Sequence, residues 1–293
     1  MKTIANAGKR KLINLFAMLV MGATLIICLI PLVSVSWTLL SKGLPAISPD
    51  FLTDLPLSTQ SGIGNAILGW LLILLVASLF AIPFGLLVGM YLAQCPSSRL
   101  ATPTRTLLDV MSGIPAIVVG MFVYSMVVLP MKSYSLMAGG ASLAMIMLPI
   151  FARTSEESLK AIPETVMEAG LGLGLPRWRV VLQVLLRSAL PGVLTGFFLA
   201  LARVGGEAAP LLFTVGGSNF WPSHAPSELV KLQPLTEQVA SLPLIVYEYA
   251  KDPRPAKHEA AWGAALALVV IILAIRLGTH AYVRWRYGQQ GAH

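Results

Sequence analysis

Charge is what this chain has least of. Only 12% of its 293 residues are Asp, Glu, Lys or Arg, against 56% hydrophobic. No charge at all lies between Lys11 and Lys42, Asp54 and Arg99, Asp109 and Lys132, Lys132 and Arg153, or Glu259 and Arg276. A soluble domain of this length spreads its charges far more evenly, so a water-soluble globule is excluded. The formal net charge of +8 invites a nucleic-acid partner, but its distribution argues against one. The basic residues gather at the ends of apolar runs, not along a stripe or patch.

Cysteine is scarce too. Cys28 falls inside one apolar run and Cys95 near the end of another, so no disulfide is expected and both read as small apolar residues. The four histidines, at 224, 258, 280 and 293, show no metal-ligand spacing. The loops offer no nucleophile–base pair and no paired carboxylates, so catalysis by this chain alone is not expected. No G-x₄-G-K-[ST] sequence occurs, and without that loop the chain cannot cradle ATP phosphates itself. It is read as binding no metal and no cofactor of its own.

What is present is a series of long apolar segments. A bilayer core about 30 Å thick takes roughly 20 apolar residues per helix, and in lipid every backbone polar group must be satisfied internally. The expected fold is an all-α polytopic membrane protein with six spans, near 12–39, 62–93, 106–130, 135–152, 189–214 and 259–282. Residues 1–11 and 283–293 form tails around a membrane domain at 12–282. The uncharged stretch after Lys11 is too long for a secretory signal and reads as an uncleaved first span. Lys42, Lys132, Lys231, Lys251, Arg254 and Lys257 fall on one side of the membrane and Arg203 within a span. The other fourteen of the 21 Lys and Arg residues fall on the opposite side. That bias assigns both termini to the cytoplasm. Trp37, Trp221 and Trp262 near one face, and Trp178 and Trp285 near the other, suit interfacial belts against membrane lipid.

Two loops are long, 153–188 on the cytoplasmic side and 215–258 on the periplasmic side. In the second, Leu235, Val239, Leu242, Val246 and Tyr249 have helical spacing interrupted by Pro243. Both a helix on the membrane surface and a docking surface for a soluble partner fit that pattern. The first loop reads as two short helices. Thr154 and Glu157 have capping-box spacing, and Pro163 suits a first helical turn, with Glu164 and Glu168 in its N-terminal half. Gly172 and Gly174 can end that helix in a left-handed turn, and Pro176 opens the second. The product is a knob with Ala169, Gly170, Gly172 and Gly174 at its tip, where another protein's surface could approach the backbone. A solvated connection and a docking handle both remain open on pattern alone.

The fifth span holds LARVGGEAAPLLFT, residues 201–214. Arg203 falls near its middle and Glu207 four residues later on the same helical face. A charge at mid-bilayer costs about 2.5–3.5 kcal/mol on insertion scales, so both need a partner, a cavity or a pathway. Gly205 and Gly206 permit close packing, and Pro210 interrupts the backbone hydrogen bonding. The pair reads either as a tie between helices or as an oxyanion-binding guanidinium held by Glu207. Asp109 is a second candidate partner.

Glu168-Ala169-Gly170 followed by Gly174 resembles the EAA-x₃-G coupling loop of the type I ABC importer permease family, with Gly170 where that motif has its second alanine. LLDVMSGIPAIVVGMF (107–122) and ALARVGGEAAPLLFT (200–214) narrow the resemblance to the A-type permeases of phosphate importers, over roughly residues 60–285. The resemblance implies a six-helix subunit in the bacterial inner membrane that forms a heterodimer with a paralogous C-type permease. It implies two nucleotide-binding ATPase subunits, which carry the ATP and Mg, and a periplasmic phosphate-binding protein that delivers phosphate. Glu168, Ala169, Gly170 and Gly174 would couple to the ATPase. Arg203, with Glu207, would line the phosphate pathway, with Asp109 and Pro210 in support. Gly113, Ile114 and Pro115 match a structural motif of the third span.

Overall fold

In a computed structural model, residues 5–56, 62–222 and 233–287 can be described. Lys2, His224, Lys231 and His293, with the outer part of each expected tail, lie outside them. The described chain folds into helices: α1 (Ala5–Gly43), α2 (Gly64–Gln94), α3 (Ala101–Gly113), α4 (Ala116–Met131), α5 (Leu136–Lys160), α6 (Glu164–Gly172), α7 (Arg177–Gly205), α8 (Leu242–Lys251) and α9 (Pro255–Tyr287). Five of these (α1, α2, α5, α7 and α9) are long and apolar enough to cross a membrane, and α3 with α4 makes a sixth if the bent pair counts as one.

The centre of the bundle is α2 against α5. Ala77, Ala81, Gly85 and Gly89 recur every fourth residue on α2 and are buried. A Cβ at Gly85 would lie 2.8 Å from Phe151 Cδ1, and one at Gly89 2.6 Å from Ser155 Cβ. Where lipid is as apolar as leucine, such small residues let two helices gain dispersion contact. By contrast, α1 lies outside the core, touching mainly α9, and its apolar side chains are exposed along its length.

Several expectations change. The third span is bent by 100° between α3 and α4. Ile114 precedes Pro115 and takes an extended conformation, ψ 129°, because the proline ring disfavours the helical region for the residue before it. The fourth span does not stop at 152 but continues to Lys160. Thr154 is inside it and caps nothing, its hydroxyl donating to the Ile150 and Phe151 carbonyls. The second knob helix is the first part of α7, continuous with the fifth span through a π-helical turn at Val180–Leu185. Pro243 starts α8 instead of interrupting it, because the first turn needs no proline N–H. That helix is no membrane-surface element: Leu242, Leu244, Ile245 and Tyr249 are buried in the core.

Candidate functional site

Two features, at opposite ends of the bundle, hold most of the site residues expected from the sequence. The first is the end of α7. This helix stops at Gly205, well short of 214, so Arg203 stands in its last turn and not mid-span. The helix ends before Pro210 is reached, so that proline interrupts no helix. Instead it opens a single turn, Leu211–Phe213, that folds back into the bundle. A Cβ at Gly120 of α4 would lie 2.6 Å from Pro210 Cα, and one at Gly139 of α5 2.4 Å from Val215 Cγ1. The Thr214 carbonyl accepts from Ser135 N at 3.0 Å. On the other flank, fully buried Trp70 donates from Nε1 to the Gly205 carbonyl at 2.9 Å, which satisfies one of the helix's terminal acceptors.

Arg203 and Glu207 meet across this helix end: Arg203 Nη1 donates to Glu207 Oε1. The Glu207 side chain is 17% exposed and that of Arg203 61%. A guanidinium has five N–H donors, and Glu207 is the one partner recorded for it among the described residues. An arginine this open, after the uncharged stretch of α7 that follows Arg187, requires a hydrated cavity or a partner surface beside it.

Asp109 does not join that pair. It binds Arg153 of α5, with Arg153 Nη2 to Oδ1 at 2.5 Å. It belongs to a charge cluster at the opposite end, centred on Glu156, whose side chain is 3% exposed. Glu156 Oε1 accepts from Arg105 Nε (3.0 Å), Arg105 Nη2 (2.8 Å) and Lys160 Nζ (2.6 Å), and Oε2 from Arg153 Nη1 (3.4 Å). Arg105 also reaches the Leu92 carbonyl at the end of α2, so the cluster ties α2, α3 and α5 together. Sequence reasoning missed this hub. Arg153 and Lys160, three and four residues from Glu156, were a readable signal, but Arg105 lies 51 positions away.

The second feature is the knob. Pro163 precedes α6, and Gly174 takes the left-handed conformation (φ 79°) after it, both as expected, whereas Gly172 stays within the helix. Glu168 and Ala169 are exposed. Gly170 is not at an exposed tip: it is buried, and a Cβ there would lie 2.7 Å from Val180 Cγ1. Its smallness closes α6 onto the π turn of α7. The outer surface is apolar, with Leu171 44%, Leu173 82% and Trp178 59% exposed. Leu173 and Trp178 were not singled out in the sequence as contact residues, though two large apolar side chains beside a glycine turn are a signal of one. Arg177 Nη2 donates to the Gln94 carbonyl at 2.9 Å, anchoring the knob to α2. A cavity of about 570 Å³, lined by Gln94, Lys160, Glu164, Glu168 and Arg177 among others, separates the two elsewhere.

A smaller cavity of about 220 Å³ lies near α8, between Gly216, Gly217, Ser241, Glu248 and Tyr249. Burial pushes the Glu248 carboxyl above its ordinary range and the Tyr249 hydroxyl up to about 12. Among the described residues, no three His, Cys, Asp or Glu side chains gather as a metal site.

Comparison with known proteins sets these features in a family. A family described as "Binding-protein-dependent transport system inner membrane component" matches residues 81–285. A phosphate transport system permease protein PstA from Xylella fastidiosa is 38% identical over 277 residues, 93% of each chain. A Yersinia pestis protein of the same name is 34% identical over 268 residues, covering 90% of this chain and 88% of its own. Among solved structures, an inward-facing form of the MetNI methionine ABC transporter aligns with a TM-score of 0.59 at 21% identity. That alignment covers 76% of this chain and 96% of the other, and it speaks for the fold alone.

Proposed function

The chain belongs to the family of binding-protein-dependent transport system inner membrane components, and from that premise we propose that it is the A-type permease of an ATP-driven inorganic phosphate importer. It is a multi-pass inner membrane protein that catalyses no reaction itself and forms half of the translocation pathway. The observation that carries the substrate is the 38% identity, over nearly the whole chain, to a permease named for phosphate transport.

The geometry supports the division of labour. At the α7 end, Arg203 keeps donors free while Glu207 fixes its orientation. A planar guanidinium can give two parallel hydrogen bonds to an oxyanion, and the adjacent carboxylate keeps that attraction from becoming a trap. The knob lies on the cytoplasmic side with both termini, as the distribution of basic residues supports. Leu173, Trp178, Glu168 and Ala169 form its contact surface for one ATPase subunit, with Gly170 and Gly174 shaping it. The pathway is completed by a paralogous C-type permease, a second ATPase copy and a periplasmic phosphate-binding protein. ATP and Mg act on the ATPase subunits.

ATP-dependent uptake tests the reading, comparing labelled phosphate, sulfate and molybdate in cells with and without this chain. Loss of phosphate uptake alone is expected. Loss of another oxyanion instead would keep the permease and discard phosphate, and no ATP-linked loss would discard both.

A further inference from the structure

At the end of the α1–α9 pair remote from the knob, a cavity of about 550 Å³ is lined by Lys42, Pro45, Ala46, His258, Glu259 and Trp262. Its walls are tightly set. A Cβ at Gly43 would lie 2.8 Å from Leu266 Cβ and 2.9 Å from the Trp262 carbonyl oxygen, and one at Gly263 3.0 Å from Ala46 Cβ. Lys42 closes the charge-free run that follows Lys11, and Glu259 opens the one that lasts to Arg276. Both charges therefore stand where apolar helix surface gives way to the head-group layer. Lys42 Nζ is 5.2 Å from the Trp262 ring centroid. The His258 ring is taken up by the Asp252 carbonyl at 2.6 Å. No hydrogen bond or ion pair of Glu259 is recorded among the described residues. Two opposite charges thus face one cavity without pairing in it.

We propose that this cavity holds the head group of one phospholipid of the phosphatidylethanolamine class. Its phosphate sits against Lys42 and its primary ammonium against Glu259, with the amphipathic Trp262 ring at the interface below. Among the described residues the two charges form no ion pair with each other, and in sign they match a zwitterion. A primary ammonium brings three donors to a carboxylate, whereas a choline group brings none. A phosphatidylglycerol head brings no cation, and its phosphate would repel Glu259.

The test is native mass spectrometry of the intact permease–ATPase complex in detergent, titrated with dioleoyl phosphatidylethanolamine, phosphatidylcholine and phosphatidylglycerol. One phosphatidylethanolamine per copy of this chain should be retained about tenfold more tightly than phosphatidylcholine, the worth of one charge-assisted hydrogen bond. That preference should vanish in Glu259→Gln, whereas Lys42→Gln should weaken retention of phosphatidylethanolamine and phosphatidylcholine alike, because the two share the phosphate; both are exposed positions that the fold does not need. Equal retention of the three lipids, an unchanged preference in Glu259→Gln, or unchanged retention in Lys42→Gln overturns the proposal. So does efficient cross-linking of Glu259→Cys to the partner permease, which would show protein in the lipid's place.

Discussion

Replacing Glu156 by Gln removes one negative charge from beneath three cations and changes little in shape. Its Oε1 accepts at 2.6, 2.8 and 3.0 Å from Lys160 and Arg105, while the 3.4 Å contact of Oε2 with Arg153 is long and adds less. A hydrogen bond to a charged group contributes about 1.5–3 kcal/mol net, and deleting one member of a buried ion pair costs about 3–5 kcal/mol. Here the cations are 25%, 30% and 46% exposed, so water takes up part of their lost pairing. The amide also keeps one acceptor oxygen. The expected loss is therefore about 2–3 kcal/mol, below the fully buried case. Equilibrium unfolding of the purified chain in mixed micelles, across wild type, Arg105→Met, Glu156→Met and the double variant, isolates the pair. A coupling of about 1–2 kcal/mol is expected, with the double variant recovering part of the loss of Glu156→Met, because it removes the stranded Arg105 charge and leaves only the more exposed Arg153 and Lys160 without that carboxylate. A loss within about 0.5 kcal/mol for Glu156→Gln, the ordinary effect of a surface substitution, would refute the hub.

Arg203→Gln should abolish phosphate uptake while the complex still assembles; normal uptake would remove Arg203 from the pathway. Gly120→Ala places a Cβ 2.6 Å from Pro210 Cα and should displace the turn beside Glu207, lowering uptake without weakening ATPase pull-down. Glu168→Lys should do the reverse and weaken ATPase recovery in detergent pull-downs; an unchanged complex would count against the knob as the coupling surface. Burial raises the Glu248 carboxyl pKa, so its charged form is penalised in the fold and stability falls as pH rises through that raised value. Glu248→Gln should accordingly raise the melting temperature at about pH 8 and leave it unchanged at about pH 3, below the ordinary glutamate value.

The sequence alone determined what depends on composition and near neighbours. Charge-free runs placed the chain in a membrane, because no soluble fold tolerates them. Pro163 and Gly174 marked the limits of α6, because φ preferences belong to single residues. The four-residue spacing of Arg203 and Glu207 anticipated their contact but not its form, since α7 ends at Gly205 and the two meet across that end. Tertiary structure decided the rest. Pro31, Pro83, Pro149 and Pro191 all sit inside intact helices, yet Pro115 accompanies a bend of 100°. Neighbouring helices settle which freed backbone groups are re-satisfied, so no local rule could pick out the one that breaks. The end of α7 at Gly205 is held by Trp70, 135 positions away, and the turn after it by Gly120 and Gly139. Glu156 found Arg105 because α3 and α5 were packed side by side. Gly170, read as a contact for another protein, was claimed first by Val180 of its own chain. Such long-range partners follow from close packing of the whole bundle, and nothing in a local pattern carries that information.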